Sequence, residues 1–284
     1  MVNKVAVVTD SIASLPRELV EQYGIGIVPI TIYFRDKVYR DWVDITPVEA
    51  YELFLKDPEA FKTSPASPGH YLEAYREASK QAKNILCVTL SARLSTGYEM
   101  ACVAKEQAKA ELPQTSIEVL DSQLTTAAEG FVALAAARAG AEGKDLAEVV
   151  KVAEEVRDRT TFVILLDTIR YIYRTGRIPK VASQIGSLLN IRPILSMSSG
   201  LVRFIGVTRN KEHGIDRLFK IMKDKVGLSP VHVAVMHAYA LDEAQRLKER
   251  VSSEFNCAEL WVTEFSPVMG YACGTGTVGF AFYW

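Results

Sequence analysis

Three apolar runs in the first half of the chain end in hydroxyls or carboxylates: Thr9-Asp10-Ser11, Thr89-Leu90-Ser91 and Asp121-Ser122. If the runs are neighbouring parallel strands, these tips share the carboxyl edge of one sheet, where open α/β sheets bind ligands. Aspartate and serine in such places also cap the turn that follows, so Asp10, Ser11, Asp121 and Ser122 admit a purely structural reading. The segment Ser91-Ala92-Arg93-Leu94-Ser95-Thr96-Gly97-Tyr98 leads into a long helical stretch. It puts Ser95, Thr96 and Gly97 where unpaired amides and the positive end of a helix dipole suit an anion. A second hydroxyl-rich loop, Thr63-Ser64-Pro65-Ala66-Ser67-Pro68-Gly69, precedes another helix start. Neither loop contains a lysine, which points to a carboxylate rather than a polyphosphate.

Other chemistries are tested against their motifs. No G-x-x-x-x-G-K-[ST] occurs, which excludes a P-loop. Gly274-Thr275-Gly276-Thr277-Val278-Gly279 matches G-x-G-x-x-G, but only five residues follow it. That leaves no room for the crossover helix or the later acidic residue of a dinucleotide site, so the glycines read as a tight turn and close backbone approach. Ser95, between strand and helix, could serve as a nucleophile, and an acyl hydrolase is the alternative to a binding protein. Against it, G-x-S-x-G is absent and no spacing brings His70, His213, His232 or His237 to Ser95. Cys87, Cys102, Cys257 and Cys273 form no C-x-x-C pair and the histidines no H-E-x-x-H. No disulfide framework, metal site or cofactor is expected, and the thiols read as free in a reducing cytoplasm.

These groups need elements to position them. In 284 residues, Lys4–Val8, Ile85–Leu90, Ile117–Leu120 and Phe162–Leu166 are short, β-branched-rich runs expected as buried parallel strands. Helix starts lie between them: Thr46-Pro47-Val48-Glu49 and Thr96-Gly97-Tyr98-Glu99 have capping-box spacing, and Ser67-Pro68 pairs a cap with proline. Strand alternating with helix implies a doubly wound α/β layer. Beyond about residue 170 the pattern changes. Ile191–Leu195 and Leu201–Ile205 flank a hairpin turn, followed by a helix near Glu212–Val226 and a strand at Val231–Met236. A helix near Leu241–Glu254 and strands near Ala258–Thr263 and Thr277–Tyr283 complete a mixed sheet. The expected domains are residues 1–165, carrying the hydroxyl loops, and 166–284. Phe265–Trp284 lacks charge but contains Pro267 and four glycines, so it reads as buried turn and strand, not a membrane span. The start of the chain resembles no signal peptide, and a cytoplasmic protein is expected.

The formal charge of −1 is unevenly spread. Thr168–Lys211 holds eight basic residues, Arg170, Arg174 and Arg177 among them, and no acidic one, leaving −9 elsewhere. The near-neutral total argues against nucleic-acid binding. The basic stretch is either a solvated patch or a docking surface for an acidic partner.

In its motifs and their order the chain resembles the DegV family of bacterial fatty-acid-binding proteins. The resemblance rests on Thr9-Asp10-Ser11, the Thr63-Ser64 loop, Leu94-Ser95 with Tyr98, Val119-Leu120-Asp121-Ser122, Arg174-Thr175-Gly176-Arg177-Ile178, His237 and the glycine-rich C-terminus. It implies a Rossmann-like N-terminal domain with a parallel sheet, and a second α/β domain with a mixed sheet that covers the acyl chain. It further implies a long-chain fatty acid whose carboxylate is held by Thr63 and Ser95, presented to a separate fatty acid kinase that makes the acyl phosphate. The chain itself would then be a carrier without a nucleotide site. It departs from the family pattern at Ala272, where a histidine is usual. Ser95-Thr96-Gly97-Tyr98 stands in place of Ser-Gly-Thr-Tyr, and Thr63-Ser64-Pro65-Ala66 in place of Thr-Ser-Gln-Pro. Candidates to line the acyl chain are Phe131, Leu134, Ile164, Ile185, Leu188, Leu189, Ile194 and Met269, each of which also suits an ordinary core.

Overall fold

The computed structural model describes residues 5–171, 176 and 191–284. In chain order its first elements are β1 (Val5–Asp10), α1 (Arg17–Tyr23), β2 (Gly26–Val28), β3 (Thr31–Phe34), β4 (Lys37–Arg40) and α2 (Pro47–Lys56). Then come β5 (Phe61–Ser64), α3 (Pro68–Ser79), β6 (Asn84–Thr89), α4 (Gly97–Glu111), β7 (Ser116–Asp121), α5 (Thr126–Ala141), α6 (Leu146–Arg159) and β8 (Thr161–Leu165). The last are β9 (Arg192–Ser198), β10 (Leu201–Thr208), α7 (Lys211–Val226), β11 (Val231–His237), α8 (Leu241–Glu254), β12 (Cys257–Glu264), α9 (Pro267–Cys273) and β13 (Val278–Tyr283). They form two compact units, residues 1–46 with 62–158 and residues 47–61 with 159–284.

In the first unit β1 is buried at every position, as a strand covered on both faces must be. It pairs in parallel with β2 and β6, and β6 with β7, giving the order β2-β1-β6-β7. The expected parallel layer is therefore present. Helix α5 packs along β1 and β6. Every residue from Thr126 to Gly140 except Arg138 is buried, as befits an alanine-rich helix with no polar face. A small sheet of order β4-β3-β5 carries the Thr63-Ser64 segment.

The second unit holds a six-stranded sheet of order β10-β9-β8-β13-β11-β12. All its pairings are antiparallel except β11 with β12, so the sheet is mixed as expected. Ser199 and Gly200, at φ 50° and 76°, make the turn between β9 and β10, the left-handed pair that matches hairpin twist. Leu218, Phe219 and Met222 of α7 and Leu247 and Val251 of α8 form one core with Val163, Leu165, Val233, Val235 and Phe280.

Three expectations need correction. The run Phe162–Leu166 is not a strand of the parallel sheet: β8 pairs antiparallel with β9 and β13. The first unit consequently ends at residue 158, not 165, and residues 47–61, with α2, belong to the second unit. There the Tyr51 hydroxyl donates to the Phe265 carbonyl oxygen at 3.1 Å, and Phe54 stands edge-on to Tyr171 at 5.1 Å. The apolar C-terminal stretch is a short helix, α9, followed by β13. Among the described residues no helix is long and apolar enough to cross a membrane. The glycine-rich turn is as expected: Gly274 and Gly276 take φ 83° and 81°, and a Cβ at Gly274 would lie 2.5 Å from the Tyr171 ring.

Candidate functional site

The strand-end carboxylates and serines of the first unit mostly hold the backbone. Asp10 accepts from the Ile12 and Leu90 amides at 3.0 and 3.1 Å, and Asp121 from those of Ala92 and Gln123 at 3.1 and 2.8 Å. Ser122 accepts from the Leu124 amide at 3.1 Å. Ser11 accepts from the Ile30 amide at 3.2 Å and donates to Asp41 at 2.7 Å. The structural reading of these four residues is the one the geometry carries.

Sequence reasoning missed Glu129, which is fully buried in the first turn of α5 and accepts from the Thr9 hydroxyl at 3.2 Å. Burial, and then the neighbouring Asp10 charge, push its carboxyl well above the usual glutamate range. Burial likewise pushes Asp10 up to about 6, although the Leu90 and Ile12 amides favour its charged form. Burial and mutual repulsion both disfavour two charges on this pair, and Glu129 is the one pushed furthest toward its protonated form.

The α3 and α4 pair carries the helix starts that the sequence marks as candidates for an anion. Ser67 caps α3, accepting from the His70 amide at 3.4 Å. Before α4 the chain turns on Ser91, whose carbonyl accepts from the Leu94 and Ser95 amides at 2.9 and 3.2 Å. The expected capping box at Thr96 does not form. Thr96 is exposed and makes no side-chain cap, and the Ser95 hydroxyl instead accepts from the Gly97 amide at 3.3 Å. The helices pack with Tyr71 against Gly97 and Tyr75 against Ala101, one turn further along each. Parallel register of this kind brings the Ser67 and Ser95 starts to the same end of the pair. Thr63 and Ser64 lie half-buried in β5, with Ser64 Oγ 3.4 Å from the Tyr33 hydroxyl. First-turn amides have no intrahelical acceptor, so this end presents donors.

No histidine bonds Ser95 among the described residues. His232 pairs with Glu259 at 3.0 Å, and His237 accepts from the Ala240 amide at 3.3 Å. Burial pulls His237 down to about 4. No cluster of potential metal ligands occurs among the described residues, and all four cysteines are free.

The acyl-chain candidates scatter. Phe131 and Leu134 are buried on α5 in the first unit. In the second, Ile194 pairs with Leu165 and joins the α7–α8 core. Ile164, next to Leu165 on its strand, points to the other sheet face, so Ile164 and Ile194 cannot line one surface. Met269 is half-buried on α9. Ile185, Leu188 and Leu189 lie outside the described residues, as do Arg174 and Arg177. Arg170 is exposed, its guanidinium 5.7 Å from the Tyr171 ring. The basic stretch is not uniformly bare: Arg192 pairs with Asp167 at 3.1 Å and Lys211 with Glu243 at 2.5 Å.

One unit with a parallel sheet whose hydroxyls and helix starts gather at one end, and one with a mixed sheet, define a two-unit α/β protein. The sequence profile of the family described as "uncharacterised protein, DegV family" matches residues 4–284, and the chain belongs to that family. A DegV domain-containing protein of Caldanaerobacter subterraneus subsp. tengcongensis is 31% identical over 278 residues, 96% of this chain and 94% of the relative. One from Streptomyces coelicolor is 33% identical over 281 residues, 98% of each. Among solved structures, a DegV family protein from Thermus thermophilus, described as binding fatty acid, superposes with a TM-score of 0.89 at 27% identity, covering 99% of each chain. DegV of Bacillus subtilis, described as a fatty acid binding protein, gives the same values.

Proposed function

We propose that this protein binds a long-chain fatty acid and presents it to a separate fatty acid kinase, as a carrier and not an enzyme. The carboxylate is held by the Thr63 and Ser95 hydroxyls and the amides at the start of α4, with Thr96 and Gly97 forming the turn. The observation that carries the reading is the donor-rich end of the α3–α4 pair, in a chain that shares its full-length fold with two fatty-acid-binding relatives. Burying a methylene contributes about 0.8 kcal/mol, so a tail of about 14 supplies roughly 11 kcal/mol before ordering costs. Hydroxyl and amide bonds to the carboxylate are largely offset by its desolvation. Affinity resides in the tail and orientation in the head group. Exposed Arg170, with Arg174 and Arg177, is the proposed docking surface for the kinase.

Mass spectrometry of an extract from the denatured, purified protein tests the reading. Recovery of a fatty acid, or binding of added palmitate weakened in Ser95→Ala, is expected. Repeated absence of lipid together with no binding of palmitate refutes it. Turnover of a chromogenic ester that disappears in Ser95→Ala would establish the acyl hydrolase instead.

A further inference from the structure

Two tyrosines of α3 pack against α4 in the same way and differ in what their hydroxyls meet. Tyr75 reaches Ala101 one turn into α4 and donates to its carbonyl oxygen at 3.1 Å. Tyr71, one turn earlier, reaches Gly97, the first residue of α4. At that end a helix offers amides and no carbonyl oxygen, so a tyrosine hydroxyl finds other donors there. The Tyr71 side chain is fully buried and its oxygen has no hydrogen-bond partner. Buried hydroxyls without partners are rare, because the lost hydration is costly.

A Cβ built on Gly97 would lie 3.1 Å from the Tyr71 oxygen and 3.8 Å from Ser95 Oγ. The two hydroxyls therefore flank one point at the helix start, where a side chain on residue 97 would crowd the Tyr71 oxygen. Burial raises the Tyr71 hydroxyl well above its ordinary value, and the neighbouring Asp10 charge adds to the effect, so it stays protonated as a donor.

We infer that Tyr71 is a head-group residue of this chain, donating its hydroxyl to a ligand carboxylate oxygen at the start of α4 beside Ser95. The inference rests on the fatty-acid reading and adds to it a buried donor beside the glycine at position 97. Tyr71 fixes the head group, and Gly97 leaves its hydroxyl uncrowded.

The test uses the full-length, delipidated protein, with palmitate and hexadecan-1-ol as probes in titration calorimetry. Tyr71→Phe should weaken palmitate binding about tenfold, leave hexadecanol binding within about twofold, and unfold no earlier than the parent, since it loses no internal hydrogen bond. Tyr75→Phe should do the reverse, melting earlier while binding palmitate normally. Gly97→Ala, which crowds the Tyr71 oxygen, should also weaken palmitate binding. Equal palmitate affinity in the parent and Tyr71→Phe overturns the inference while leaving the fatty-acid reading intact. Failure of the parent to bind either probe overturns both.

Discussion

Replacing Glu129 with glutamine separates a buried acid from a buried anion. Glutamine keeps the shape, an acceptor for the Thr9 hydroxyl and a donor toward Asp10, but has no proton to lose. In the folded chain the Glu129 carboxyl titrates well above its ordinary value of 4.5 because of burial and then the Asp10 charge. A group whose folded value is raised contributes stability below its unfolded value, and that contribution is lost as pH rises toward the folded value. Each pH unit through which Glu129 stays protonated while the unfolded chain ionises costs about 1.4 kcal/mol. That cost grows as pH rises above 4.5, and Glu129→Gln does not bear it. The variant should gain on the parent progressively as pH rises above 4.5, as measured by urea denaturation across the pH series. Subtracting the two pH profiles cancels the titration of His237, which slopes the other way. A variant less stable than the parent by the same amount at every pH would mean that Glu129 is ionised in the fold, and its raised titration would be wrong.

Three further outcomes follow from local geometry. Gly130→Ala places a Cβ 2.5 Å from the Ala13 carbonyl oxygen, and the resulting shift of α5 should cost about 1 to 3 kcal/mol in chemical denaturation. Ser199→Asn, at φ 50° ahead of Gly200 in the β9–β10 turn, should raise stability by about 0.5 kcal/mol, since asparagine tolerates the left-handed region better. Burial holds His237 near 4 in the fold against an ordinary 6.5, with Glu264 3.8 Å away. Its contribution to stability is present above pH 6.5 and lost as pH falls toward 4, about 3 kcal/mol in all, and His237→Asn should flatten that acid limb in a melting series.

Much of the fold is written in local pattern. Val5–Thr9 and Asn84–Val88 pair as neighbouring parallel strands because a strand covered on both faces must be apolar throughout. Phe162–Leu166 has the same composition yet pairs antiparallel with β13, more than a hundred residues away. A continuous apolar run does not encode its partner's direction, and the misplaced boundary followed from that ambiguity. The departure of α2 to the second unit is equally invisible in its capping signal, because the cap sets where a helix begins and not what it packs against. Ser95 stands between strand and helix as its place in the sequence implies, and Thr96 is the residue before the helix as expected, but the side-chain bond to the first turn comes from Ser95 instead. Glu129 had a signal that was overlooked: it is the one charge in Thr126–Ala137, and an acid on a helix with no polar face has nowhere to go but inside. Tyr71 and Tyr75 were also readable in retrospect, four apart on α3 and matched to the small residues Gly97, Ala101, Ala104 and Ala108 buried on α4.

The edge that is proposed to receive a carboxylate already contains Asp10, and two buried anions there would oppose a third. The fold resolves the conflict in two ways. The Asp10 charge is met by the Ile12 and Leu90 amides, and burial with the Asp10 charge pushes Glu129 toward its protonated form. The donors at the start of α4 are thereby left for a ligand, since no internal carboxylate bonds the Ser95 hydroxyl or the Tyr71 oxygen. Selectivity for an anion at this end comes from how the protein's own acids are neutralised as much as from the hydroxyls that would touch the ligand. The raised Glu129 and the buried Tyr71 hydroxyl would then act together: the first lessens a repulsion, and the second donates to the acceptor that this permits.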